Sequence, residues 1–152
     1  MKSTLSLFVA TLFLFAGTMF PAPAEDITVT GRLVDTKCYG MMPEANFGND
    51  HMLPKMKDGM PIMHDGMPEM MTVPMCGTAC SSMGIPTGIV EGGAVGGRTY
   101  VIIASTTALS SYIAQEARVT GTLAFDGGII ASKIEVKGDD GRWEDVTPAA
   151  MM

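Results

Sequence analysis

The chain is 152 residues long, carries 16 acidic residues against 10 basic ones for a net charge of −6, and contains 15 methionines and three cysteines. That length supports one domain with a modest core and is too short to expect two. The acidity argues against nucleic acid and anionic membrane surfaces as partners, and modestly attracts cations.

At the start of the chain, Lys2 precedes an apolar run from Leu5 to Phe15, and Ala22-Pro23-Ala24 offers small residues at the two positions a signal peptidase reads. Residues 1–24 are expected to be a cleavable secretory signal peptide, with a single domain over 25–148. The run falls short of the roughly 20 apolar residues needed to cross a bilayer, and no cysteine near the cleavage point could accept a lipid. The expectation is a periplasmic or secreted protein with no membrane insertion after cleavage, and a charge of about −7 once Lys2 is lost.

Ile27, Val29 and Leu33 alternate with Thr28, Thr30 and Arg32, a half-buried strand pattern with a bend at Gly31. The pattern stops at Cys38 and returns at Gly88-Ile89-Val90. Glycines between Gly92 and Gly97 then lead into an apolar strand from Tyr100 to Ala104. Ser105, Thr106 and Thr107 suit the start of a short helix whose inner face is Leu109, Tyr112 and Ile113. Val119, Leu123 and Phe125 form a fourth strand, Asp126-Gly127-Gly128 a hairpin turn, and Ile130, Ile134 and Val136 a fifth strand. Arg142-Trp143-Glu144 reads as an edge segment or a loop over the barrel mouth, and a lone tryptophan more often closes a core than binds a ligand. The order predicts an all-β, five-stranded OB-like Greek-key barrel with a short helix between strands 3 and 4.

Between strands 1 and 2 lies an insertion over 41–75 that holds most of the methionines and both histidines. Asp58-Gly59-Met60-Pro61-Ile62-Met63-His64 is followed directly by Asp65-Gly66-Met67-Pro68-Glu69-Met70-Met71, and Leu53-Pro54-Lys55-Met56-Lys57 fits the same seven-residue register. A proline in every unit and an Asp-Gly in two of them exclude a coiled coil and predict an extended, turn-rich loop. Thioether, thiolate and imidazole are the ligands of soft or borderline metals, Cu(I) above all. Thioethers also survive an oxidising compartment where free thiols are at risk. Met60, Met63, His64, Met67, Met70, Met71, Met75 and His51 are therefore candidate ligands for Cu(I) or Ag(I). Against this stand a gap-filling or adaptable surface and an oxidant-scavenging role.

Cys76-Gly77-Thr78-Ala79-Cys80 is a C-x3-C unit, and Cys38 sits in Asp35-Thr36-Lys37-Cys38-Tyr39. If 76–80 forms a helical turn, both sulfurs share a face and can meet Cys38. A Cys38, Cys76, Cys80 cluster suits Cu(I), and with a histidine it suits zinc in a Cys3His set. A disulfide from Cys38 to one of the other two, leaving a spare thiol, is the equally weighted alternative.

The Asp-x-Lys-Cys-Tyr motif, the C-x3-C followed by Gly84-Ile85-Pro86-x-Gly88, the Tyr100 to Ala104 strand and Val119-Thr120-Gly121 together resemble a group of small secreted bacterial proteins with OB-like barrels. The resemblance implies the three-cysteine layout of Cys38, Cys76 and Cys80 and carries no established activity. Where those proteins tend to have a histidine before C-x3-C, this chain has Val73-Pro74-Met75. A looser likeness, in fold and ligand type only, is to OB-type periplasmic copper and silver chaperones.

No nucleophile elbow, phosphate loop or zinc-protease motif is present, so an enzyme is not expected, and thiol–disulfide exchange at Cys76 and Cys80 is the best enzymatic candidate. The expected function is that of a Cu(I) or Ag(I) chaperone, buffer or resistance factor. Its partners would be the ion and another periplasmic copper protein. A disulfide-stapled OB-type interaction module without metal is the alternative.

Overall fold

A computed structural model gives the structure of residues 26–149; the expected signal peptide lies outside the described residues. The fold is mostly β. Its main sheet holds β1 (Asp26–Asp35), β8 (Thr87–Glu91), β9 (Thr99–Ile103), β10 (Glu116–Phe125), β11 (Gly128–Lys137) and β12 (Trp143–Asp145). The strand order is β10-β1-β8-β9-β11-β12, and β10 also pairs with β11. All these pairings are antiparallel except β9 with β11. The five expected strands are all present, and β12 adds a sixth at the edge.

β1 is shared between two neighbours because it bends. Asp26 to Arg32 pair with β10, and Gly31 to Asp35 pair with β8. Gly31 sits at the crossover, where a Cβ would collide with the Val90 carbonyl, so only glycine admits this approach. The inward side chains of the five longer strands form the core: Val29, Leu33, Ile89, Ile102, Val119, Ile129 and Ile134, closed by Leu109. Each such aliphatic side chain contributes roughly 1.5–3 kcal/mol on burial. Leu109 comes from α3 (Thr106–Leu109), which runs into a 3-10 turn at Ser110–Tyr112, between β9 and β10 as the sequence predicts.

Trp143 does not close the core. It lies on edge strand β12, partly exposed, with the Arg118 guanidinium 4.3 Å and the Lys137 ammonium 5.8 Å from its ring centre. An indole beside two cations gains cation–π attraction while staying at the rim.

Two differences from the sequence expectation shape the rest of the molecule. The chain after β1 folds into a helix, α1 (Thr36–Met41), because the Asp35 carboxylate accepts the Lys37 and Cys38 N–H groups at 3.0 and 3.2 Å, as an N-cap does. The methionine segment is not an extended loop. It forms β2 (His51–Pro54) paired with β7 (Met70–Val73), β3 (Met56–Lys57) with β4 (Met60–Pro61), and β5 (Met63–His64) with β6 (Met67–Pro68). The two Asp-Gly steps make this possible. Asp58 and Gly59 have φ of 52° and 80°, and Asp65 and Gly66 have 51° and 82°, the paired positive φ of the tight turns that match strand twist. Helix α2 (Cys76–Ser82) follows β7 and leads to β8.

Candidate metal centre

Three elements bring chemistry to one buried place. The end of β1 supplies Asp35, the first turn of α1 supplies Cys38, and the first residue of β2 supplies His51. One ligand atom from each of these three lies within 4.8 Å of the others. Helix α2 adds Cys76 and Cys80, four residues apart on one face as the spacing predicts, and Cys76 lies against both other thiols. All three cysteines are free thiols. Cys38 and Cys76 are buried, Cys80 is half-buried, and Asp35 and His51 are fully buried.

A clamp of asparagines holds these elements together. Buried Asn46 donates to the Cys38 carbonyl at 2.9 Å and accepts the Met52 N–H at 2.9 Å, tying α1 to the residue after His51. Asn49 accepts the Thr78 N–H at 2.8 Å and donates to its hydroxyl at 3.0 Å, while its own carbonyl accepts the Gly77 N–H. Asp50 accepts the Met75 N–H at 2.8 Å. The Asn49 and Asp50 bonds satisfy the Met75, Gly77 and Thr78 N–H groups, three of the four left free at the start of α2. Gly77 leaves room for the imidazole, since a Cβ there would sit 3.2 Å from His51 Nε2.

The polar accounting of the centre is incomplete. His51 Nδ1 stands 3.4 Å from Asp35 Oδ2, yet neither of these atoms nor His51 Nε2 has a hydrogen-bond partner. Ser81 Oγ and Thr87 Oγ1 are likewise buried and unpartnered. Ser81 follows Cys80 in the chain, and Thr87 pairs with Asp35 in the sheet register. Among the described residues, every buried side-chain oxygen or nitrogen without a partner is thus a member or a neighbour of this cluster. Leaving such groups unsatisfied costs about 1–3 kcal/mol each, and a cation held between the side chains of Asp35, Cys38 and His51 would offset the share of the Asp35 oxygen and one His51 nitrogen.

Burial pushes the Cys38 thiol up to about 12, reinforced by the Asp35 charge and then by Cys80 and Cys76. Burial, then Cys80, also raises Cys76. At neutral pH these two thiols therefore hold their protons. A soft cation in the cluster reverses that balance, because its charge stabilises the thiolates and metal uptake then releases protons.

The candidate ligands divide between two places. Cys38 and His51 meet in the interior with Asp35, whereas Cys76 and Cys80, on α2, stand near Cys38 but outside that three-residue group. Met60, Met63, His64, Met67, Met70 and Met71 stand on the hairpins instead. His64 is 84 % exposed and lies 3.5 Å from Asp65, and Met75 is exposed at the start of α2. Asp35 was not among the residues singled out as ligands from sequence, nor were Asn46, Asn49 and Asp50. The legible signals were the acid three residues before Cys38, which caps a helix, and the Asn49-Asp50-His51 run.

Comparison of the chain with protein-family models, curated proteins and solved structures finds no match.

Proposed function

We propose that this is a soft-metal-binding protein of the periplasmic or secreted space, serving as a Cu(I) or Ag(I) chaperone, buffer or resistance factor. The observation that carries the reading is the buried, unpartnered pair of Asp35 and His51 beside the free thiol of Cys38, with the free thiols of Cys76 and Cys80 close to that cysteine. Thiolates with an imidazole suit Cu(I), and the same four ligands suit tetrahedral zinc as the competing ion. A disulfide from Cys38 would leave both His51 nitrogens without a partner, whereas an ion would take one of them, which favours the metal reading over a stapled interaction module. The ring of strand pairings, with β9 and β11 parallel and α3 between β9 and β10, supports an OB-type barrel as the frame.

The test is a competition for Cu(I), and in parallel for zinc, between the reduced protein and a chromogenic chelator. The reading expects competition that is lost when Cys38, Cys76 and Cys80 are replaced by serine and weakened by His51→Leu. A reduced protein that competes for neither ion refutes it.

A further inference from the structure

The heptad repeat folds into a three-way junction of two hairpins, β3–β4 and β5–β6, and the stem β2–β7, with threefold pseudo-symmetry. Lys55 N–H donates to the Glu69 carbonyl at 2.7 Å, Ile62 N–H to the Lys55 carbonyl at 2.8 Å, and Glu69 N–H to the Ile62 carbonyl at 2.8 Å. The three residues are spaced by seven and close a ring. The arms repeat the pattern: Met56 pairs with Pro61, Met63 with Pro68, and Met70 with Pro54. One position on, Lys57 pairs with Met60, His64 with Met67, and Met71 with Leu53.

Rotation about the axis of such a ring carries each residue to its equivalent on the same face. Directly paired residues also share a face, and successive ones alternate. Met56, Met63 and Met70 therefore stand on one face with Pro54, Pro61 and Pro68. Met60 and Met67 stand on the other, which splits each Met-Pro-x-Met unit between the two. Exposure follows the repeat in the two outer arms, where Met56 and Met63 are 58 % and 57 % exposed and Met60 and Met67 67 % and 70 %, while Met70, on the stem, is half-buried.

The internal repeat also shows which positions tolerate change. The ring position is Lys, Ile and Glu in turn, and the next position on the second face is Lys, His and Met. The first-face position is methionine in all three arms, beside a proline in all three. An apolar contact surface would accept Leu or Ile there; a position held to thioether in all three arms, although two of them are exposed to water, calls for a sulfur donor.

We propose that Met56, Met63 and Met70 form a trigonal thioether site for one Cu(I) or Ag(I) ion. The site is separate from the interior centre, because His51 pairs with Val73 and so shares the opposite face with Leu53 and Met71. It rests on the soft-metal reading and specifies a second, exposed point of capture.

The experiment titrates Ag(I) into reduced protein labelled with 13C at the methionine methyls, with thiolate-to-metal absorption recorded in parallel. Once the thiol band is saturated, the Met56, Met63 and Met70 methyls should shift together over one further equivalent. Met56→Leu or Met63→Leu should weaken this step by about tenfold or more, as loss of one ligand in three requires, while Met60→Leu and Met67→Leu leave it unchanged. These swaps nearly conserve volume, so the hairpins persist. Equal loss from both faces, shifts confined to Met60 and Met67, or no methyl shift at all overturns the trigonal site. The last outcome leaves the face to an apolar protein partner. Thiol absorption without methyl shifts refutes this site alone; methyl shifts without thiol absorption refute the interior centre alone.

Discussion

Replacing Asp35 and His51 together, as Asp35→Asn with His51→Leu, tests the interior centre by the sign of its effect. Asparagine keeps the oxygen that caps α1, and leucine fills the imidazole's space without polar atoms. In the metal-free protein His51 leaves two buried nitrogens without partners, and Asp35 leaves one oxygen. At about 1–3 kcal/mol for an unsatisfied buried group, and allowing for a new amide left partly unpaired, the double variant should gain about 1–3 kcal/mol. At roughly 4 °C per kcal/mol for a domain of this size, Tm rises by roughly 4 to 12 °C. With metal the order inverts. The wild-type protein gains about 4 kcal/mol at an ion concentration a thousandfold above its Kd, whereas the variant gains little. Calorimetry with and without Cu(I) under reducing conditions reads both effects. A double variant that is less stable by several kcal/mol without metal, and binds metal as the wild type does, would mean that Asp35 and His51 serve only as a structural pair.

Gly77→Ala should cost about 1–3 kcal/mol by overpacking and weaken metal binding, since its methyl would meet Ile113 Cγ2 at 2.7 Å and His51 Nε2 at 3.2 Å; denaturant unfolding and chelator competition measure the two effects. In the folded, metal-free protein Cys80 should be the first cysteine alkylated at pH 8, because Cys38 and Cys76 are buried and held protonated, and mass spectrometry of timed samples gives the order. The metal-free protein should also lose stability in alkali. A Cys38 thiol near 12 in the fold against 9.0 unfolded favours the folded state fully below pH 9, and that advantage disappears as pH rises to 12. Its ceiling is about 4 kcal/mol, at 1.36 kcal/mol per unit. Unfolding midpoints that stay constant from pH 8 to 12 would contradict this placement of Cys38.

The two proposed sites both draw on the segment that runs from the end of β1 to β8. The interior centre is assembled from ends of elements and locked by Asn46, Asn49 and Asp50, so its donors are fixed before an ion arrives. The junction is exposed on its outer arms, and an ion on it would tie its three arms together on one face. The stem β2–β7 joins them, with His51 at its root.

Local pattern was sufficient wherever the signal was itself local. Alternation in 27–33 and 119–136, the Asp126-Gly127 turn and the helical spacing of Cys76 and Cys80 all appear where residue chemistry placed them, because strand pleat, turn φ and helix repeat are properties of a few neighbouring residues. The Asp-Gly-Met-Pro repeat was legible too, and its Asp-Gly turns were sufficient to make hairpins. What the sequence could not show was how the repeats close on one another. The ring of Lys55, Ile62 and Glu69 is made by hydrogen bonds between repeats, and it alone decides that Met60 and Met63, three residues apart, face opposite ways. In the same way the sequence supplied the cysteines and two histidines as equals. Only the packing of α1, α2 and β2 against the end of β1 buried His51 with Asp35 beside Cys38 and left His64 in water, because which polar groups lose their solvent is settled by contacts between distant segments.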